Sequence, residues 1–188
     1  MFDIDRFVEN CRAAAAEDGT HKAAREVVAR AMSDPAAVIA ALGEPTQSAV
    51  HKLYADDQVT IANVVWAPWM AVMPHNHEMW AVIGIYSGRE DNVFWRRIPG
   101  AGDGRVEAAG ARALCTGDVA PLAPDIIHSV TNPIPRFTGA IHVYGGNFYE
   151  QPRSQWDAET LCEAPYSLED NLGRFETFGR MMAADAAQ

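Results

Sequence analysis

The sequence predicts a mainly β fold, a small barrel that carries a helical segment at its N-terminus and one helix at its C-terminus. Three observations lead there. Short β-type runs, punctuated by Gly, Pro, Asn and Asp, follow one another between residues 59 and 150. The first fifty residues instead repeat their apolar positions at helical spacing. A length of 188 residues with 48% hydrophobic content suits one domain with a sizeable core and is too short for two large ones.

The elements follow in order. Ile4, Phe7, Val8 and Cys11 share one helical face, and Ala23, Ala24, Val27, Val28 and Ala31 share another, with Gly19 between the two runs. Asp34-Pro35 supplies an N-cap and a first-turn proline for a short third helix that Gly43 ends, so residues 1–50 form the helical N-terminal segment. The β-type runs are 59–69, 79–87, 92–98, 112–115, 119–123, 126–131 and 137–144. Gly88, Pro99-Gly100, Gly117-Asp118 and Asn132-Pro133 separate them, as the strands of a sandwich or barrel require. Residues 151–188 form a C-terminal extension, in which Pro152 and Pro165 precede a capping box at Ser167 to Asp170 and a final helix through about Met182. No internal repeat suggests a solenoid.

A formal charge of −10 excludes the clustered Lys and Arg with which proteins grip phosphate backbones or acidic membranes, so no nucleic-acid partner is expected. No stretch reaches the ~18 apolar residues of a membrane span, and Met1 to Arg12 carry acids and no long apolar run, so the expected location is the cytoplasm. Cys11, Cys115 and Cys162 are widely spaced and odd in number, which speaks for reduced thiols and against a disulfide framework or a Cys-type zinc site. Cys115 and Cys162 are expected to pack as small hydrophobes. His21 is expected on the surface of the helical segment.

The chemistry centres on Pro74-His75-Asn76-His77 and on a third histidine, His128, about fifty residues later. Side chains at i and i+2 of a strand point to one face, so His75 and His77 can aim inward at one ion, and His128 from a distant strand completes a facial set. Glu78 is out of phase with them and is expected to face solvent. Three neutral imidazoles suit zinc, copper, iron and nickel alike. With no carboxylate, a divalent ion would keep its full charge and open positions, where a thiol would bind as the thiolate.

These residues carry a resemblance. His75-x-His77, followed eleven residues later by Gly88, is similar to the first motif of the cupins; Gly117-Asp118-x5-Pro124-x3-His128-x3-Asn132 is similar to their second. The resemblance implies a double-stranded β-helix, or jelly-roll, barrel over roughly residues 60 to 150. Within the cupins the chain resembles the thiol dioxygenases of the cysteine dioxygenase type, which lack the glutamate that many cupins place four to six residues after the first motif; Trp80 to Ile83 follow His77 here without an acid. Ala140-Ile141-His142-Val143-Tyr144 is similar to that family's Ser-x-His-x-Tyr strand, and Trp66 matches one of its tryptophans.

The resemblance implies a non-haem Fe(II) centre on His75, His77 and His128, with a small-molecule thiol and O2 as substrates and a sulfinate as product. Zn, Ni and Cu remain open as the metal. Alternation puts Ala140, His142 and Tyr144 on one strand face, so Tyr144 is expected to donate a hydrogen bond into the site while His142 holds its phenol. Ala140 replaces the family's serine, and Ala81 or Val82 stands where some members carry a crosslinking cysteine. The family's carboxylate-gripping arginine has no counterpart between Val50 and Trp66, which leaves His51, Lys52, and Arg96 or Arg97 as candidates. Trp66, Trp80 and Trp95 are expected to pack the barrel. A three-histidine iron site that cleaves a β-dicarbonyl carbon substrate, a metal-binding cupin without turnover, and association into a homo-oligomer also remain open.

Overall fold

Local signals start and stop the helices of the N-terminal segment. The computed structural model describes residues 1–185, and its first helix, α1, spans Ile4–Asp18. The Asp3 side chain accepts a hydrogen bond from Arg6 N at its start, and Gly19 ends it in the left-handed region at φ 66°. Thr20 caps α2 (His21–Met32), and Asp34 caps α3 (Pro35–Leu42) by accepting from Ala37 N. The first two helices lie where the apolar spacing puts them, and the third runs between its expected Asp34-Pro35 start and Gly43 stop.

The strands are β1 (Ala49–Ala55), β2 (Thr60–Trp66), β3 (Ala71–His75), β4 (Ala81–Ser87), β5 (Arg89–Arg97), β6 (Val106–Cys115), β7 (Val119–Leu122), β8 (Ile127–Thr131), β9 (Thr138–Tyr144), β10 (Ser154–Trp156) and β11 (Glu163–Pro165). They form two antiparallel sheets, ordered β1-β2-β9-β4-β7 and β11-β10-β3-β8-β5-β6. Of the eight strands β2 to β9, one sheet holds β2, β9, β4 and β7 and the other β3, β8, β5 and β6, and the chain crosses between the sheets at every connection except the β5–β6 hairpin. That order is the double-stranded β-helix of jelly-roll barrels. Strands β1, β10 and β11 extend the two sheets at their edges. The chain ends in α4 (Leu168–Asp185), where Ser167 Oγ accepts from Asp170 N at 3.1 Å.

Several boundaries depart from the expected runs, each for a local reason. Strands β1, β10 and β11 carry no continuous apolar run and are held by edge pairing. The run expected over 59–69 ends at Trp66, and β3, interrupted by Pro74, follows separately. Strand β6 begins at Val106, six residues before the expected start, because its exposed Ala- and Gly-rich first part has little strand propensity of its own. Cys115, at the end of β6, is exposed, and Cys162 is half-buried beside Asp103, so neither packs as a core hydrophobe; only Cys11 does. His21 is half-buried at the start of α2.

Every residue of β2 and β9 is buried because this sheet is covered on both faces. The helices pack Cys11, Ala14, Val28 and Met32 onto Ile61, Val82, Ile141 and Val143 on the outer face. Contact is close enough that a Cβ at Gly84 would lie 2.6 Å from Val28 Cγ1. Trp80 joins this outer layer, and its indole donates to Gly19 O. On the inner face, Ala81, Ile83, Ile85 and Ala140 fill one part of the barrel, while Ala62, Val64 and Trp66 meet Phe175 of α4 in another. No helix among the described residues is long and apolar enough to cross a membrane.

Candidate metal centre

Strand register brings two of the histidines together. His75, the last residue of β3, pairs directly with His128 of β8. His77 does not share a strand with His75, as the i, i+2 expectation had it, because the chain leaves the sheet at Asn76. There Asn76 N donates to Ser154 O and Asn76 Oδ1 accepts from Ser154 N, which ties the turn to β10. Glu78 follows in the left-handed region at φ 53° and is exposed, as expected. The turn nevertheless aims His77 at the same point. The three ring centroids are 4.7, 5.0 and 5.2 Å apart, and one nitrogen from each ring lies within 4.8 Å of the others.

Hydrogen bonding fixes which nitrogens are free. His75 Nδ1 lies 2.9 Å from Met73 O, a carbonyl that can only accept, so Nδ1 carries the proton and Nε2 the lone pair. His128 Nδ1 donates to Asn92 Oδ1 at 2.7 Å. His128 Nε2 then faces His77 Nε2 at 3.4 Å. Metal–nitrogen bonds of ~2.0–2.1 Å at tetrahedral or octahedral angles put ligand nitrogens ~3.0–3.4 Å apart. The residues therefore fit a transition-metal ion.

Burial keeps the set neutral. Desolvation pushes the His75 pKa down to about 4, opposed by the Met73 hydrogen bond and reinforced by the charge of Arg153. It holds His77 and His128 well below the ordinary imidazole value, with the neighbouring imidazoles as the next cause. No carboxylate joins the three among the described residues.

Tyr144 and His142 lie beside this set. His142 Nδ1 is 2.9 Å from Tyr144 Oη, and the Tyr144 ring packs edge-on against His77 at 5.1 Å. Burial raises the Tyr144 pKa, so the phenol stays protonated. The histidines and Tyr144 open on a cavity of about 50 Å³ whose other walls include Trp66, Phe148, Tyr166 and Phe175. Trp66 thus lines the site as well as packing, whereas Trp80 faces the outer layer and Trp95 donates to Ser129 Oγ. A larger open hollow of about 520 Å³ beside α1 and α2 contains none of these residues.

The basic candidates fall elsewhere. Arg96 is exposed and pairs with Glu107, and Arg97 pairs with Glu163, so neither faces inward. His51 and Lys52 lie exposed on β1. The buried arginine of the site is Arg153, sandwiched between the Phe148 and Tyr166 rings with Cζ 4.1 and 3.9 Å from their centroids. Its Nη1 donates to Phe148 O and Gln151 O, while Nε and Nη2 are buried without a partner. Burial raises the Tyr166 pKa and the nearby guanidinium opposes it, but a guanidinium lying over the ring face is poorly placed to donate to the in-plane hydroxyl.

Sequence reasoning missed Arg153, Glu90 and Asn92 as parts of the site. Arg153 is the only Lys or Arg between Arg136 and Arg174, a signal that is visible but not specific. Glu90 and Asn92 stand at alternate, inward positions of β5, but Glu90 precedes the expected 92–98 run and Asn92 only opens it, so neither stands out until the partner strands are known.

No model of a known protein family matches the chain. Similar solved structures include a cupin family protein with a double-stranded β-helix fold from Methanocaldococcus jannaschii, 12% identical over 57% of this chain and 88% of that one, with a TM-score of 0.47. A double-stranded β-helix protein from Klebsiella pneumoniae is 16% identical over 67% of this chain and 87% of that one, TM-score 0.41. The oxalate decarboxylase of Bacillus subtilis, described with Mn(II) centres, is 13% identical over 49% of this chain but only 22% of that one, TM-score 0.39. The fold assignment rests on the strand order: the chain is a mainly β, double-stranded β-helix (jelly-roll) barrel with N-terminal helices and a C-terminal helix.

Proposed function

We propose that the protein is an iron(II) thiol dioxygenase that converts a small, anionic thiol to its sulfinate with dioxygen. The observation that carries the reading is the convergence of three neutral, carboxylate-free imidazoles on a small cavity flanked by the His142–Tyr144 pair. His75, His77 and His128 would hold the metal, which when bound supplies a Lewis-acidic centre able to take a thiolate and activate dioxygen. The chain's own residues then orient and enclose the substrate. A cavity of about 50 Å³ admits few heavy atoms without rearrangement of its walls, and Phe148, Tyr166 and Phe175 keep bulk water away. Arg153 lies between Phe148 and Tyr166, two walls of the cavity, and would supply the charge that an anionic substrate needs, since two of its donor nitrogens lack acceptors.

The test is oxygen uptake by iron(II)-loaded protein with 3-mercaptopropionate, cysteine, mercaptosuccinate and, as the thiol without a carboxylate, cysteamine. Uptake with a carboxylate-bearing thiol, matched mole for mole by sulfinate, is expected. Arg153→Gln should raise KM for that thiol by about 10-fold or more, the worth of a charge-assisted hydrogen bond, and leave cysteamine unaffected. Bound iron with no thiol-dependent uptake would overturn the reading.

A further inference from the structure

Glu90 is a completely buried carboxylate without an arginine or lysine partner among the described residues. An uncompensated charge in such a place is costly, so its contacts must hold it. Oε1 accepts from Asn92 Nδ2 at 3.0 Å. Oε2 has no hydrogen bond and faces His142 Nε2 at 3.5 Å, and that nitrogen is also buried without a partner. Two orphaned, complementary atoms confront each other, a few tenths of an ångström from a good hydrogen bond.

We infer that Glu90 is a positioning residue that sets the hydrogen-bond direction on both sides of the metal site. On one side it holds the Asn92 amide with its NH2 towards the carboxylate and Oδ1 towards His128 Nδ1, which leaves His128 Nε2 free as a ligand atom. On the other its Oε2 accepts a hydrogen bond from His142 Nε2–H, which fixes the proton on that nitrogen. His142 Nδ1 is then an acceptor, so Tyr144 Oη–H donates to it and turns its oxygen lone pairs to the cavity. This reverses the expected direction, in which Tyr144 donates into the site. Glu90 thereby supplies, from β5, an outer partner for His142 of β9. If the thiol reading above holds, the Tyr144 oxygen is set to accept a hydrogen bond from the incoming thiol before its sulfur binds as the thiolate; the assignment of direction does not depend on it.

The tautomer of His142 tests this directly and without turnover. Nitrogen-15 spectra of histidine-labelled protein, metal-free and zinc-loaded, with His142 assigned by its loss in His142→Gln, should show a protonated Nε2 and an unprotonated Nδ1 at neutral pH. In Glu90→Gln the new amide keeps Asn92 through its carbonyl and presents NH2 to His142, so the proton should move to Nδ1 while zinc stoichiometry is unchanged. Wild-type protein with the proton on Nδ1, or on both nitrogens, overturns the inference even if Glu90→Gln does not fold. An unchanged tautomer in a folded Glu90→Gln protein does so as well.

Discussion

The two faces of strand β9 are equally buried and chemically opposite. Ile141 and Val143 face outward into a close-packed layer with Cys11, Val28 and Met32, whereas Ala140, His142 and Tyr144 face the barrel interior, where polar groups meet the metal-ligand set. Strand β2 repeats the division, with Ile61 outward and Ala62, Val64 and Trp66 inward. The outer face is held by area and fit, which are non-directional; the inner face is held by a few hydrogen bonds whose direction matters. A one-residue slip of β9 would exchange the two, so the helices that cover the outer face also fix the register of the site.

Substitutions on the two faces should therefore fail in different ways. The largest effect belongs to the inner surface of the barrel: His128→Ala should weaken metal binding by about 100-fold or more while the barrel stays folded, as read by metal content after dialysis beside circular dichroism. On the outer face, Ile141→Ala leaves a cavity beneath α1 and α2 and should cost about 2–5 kcal/mol in denaturant unfolding. Metal stoichiometry per folded molecule should not change. Metal loss in Ile141→Ala at full folding would show that the two faces are not independent.

The outer face was the more legible in the sequence. Helical spacing at Phe7 and Cys11 or Val27 and Val28, the Asp34-Pro35 start and the alternation in β9 all state a local preference that the packing respects. The candidate metal ligands were legible because His75, His77 and His128 fall in a spaced pattern, although the turn that delivers His77 was not. The groups around them were hidden because their meaning is tertiary. Glu90 matters only once β5 lies beside β8 and once His142 lies opposite it, and Arg153 only once Phe148 and Tyr166 enclose it.

Two buried groups, one on each face, should be readable at opposite ends of the pH scale in the metal-free chain, with the buried Tyr144 and Tyr166 of the inner face adding to the alkaline limb alongside Cys11. His75 is held at about 4 in the fold against an ordinary 6.5. Below pH 6.5 the unfolded chain takes a proton that the folded one refuses, so stability should fall as pH drops from 6.5 towards 4, by about 3 kcal/mol for this residue; His77 and His128 act in the same direction. Cys11 in the outer layer is raised from 9.0 to about 12 by burial. There the unfolded thiol ionises first, and stability should fall as pH rises from 9 towards 12, by about 4 kcal/mol. Urea midpoints across pH measure both limbs. Cys11→Ala should flatten only the alkaline limb and His75→Gln only the acid one; a change in the opposite limb would count against the division.

The smallest expected effect is the most diagnostic of how the inner face works. Tyr144→Phe removes a single hydroxyl from a ring that stays packed on Phe148 at 4.4 Å and against His77. His142 Nδ1 then loses its partner inside the barrel, which should lower stability by about 1 kcal/mol. Metal content should match wild type, because the phenol is not a ligand. Turnover of the thiol should drop by about 10-fold with KM little altered, since the hydroxyl orients the substrate without carrying its charge. A Tyr144→Phe protein that loses its metal would place the phenol among the ligands. One that turns over at the wild-type rate would reduce the His142–Tyr144 pair to packing and move the directing role of the inner face to Arg153 alone.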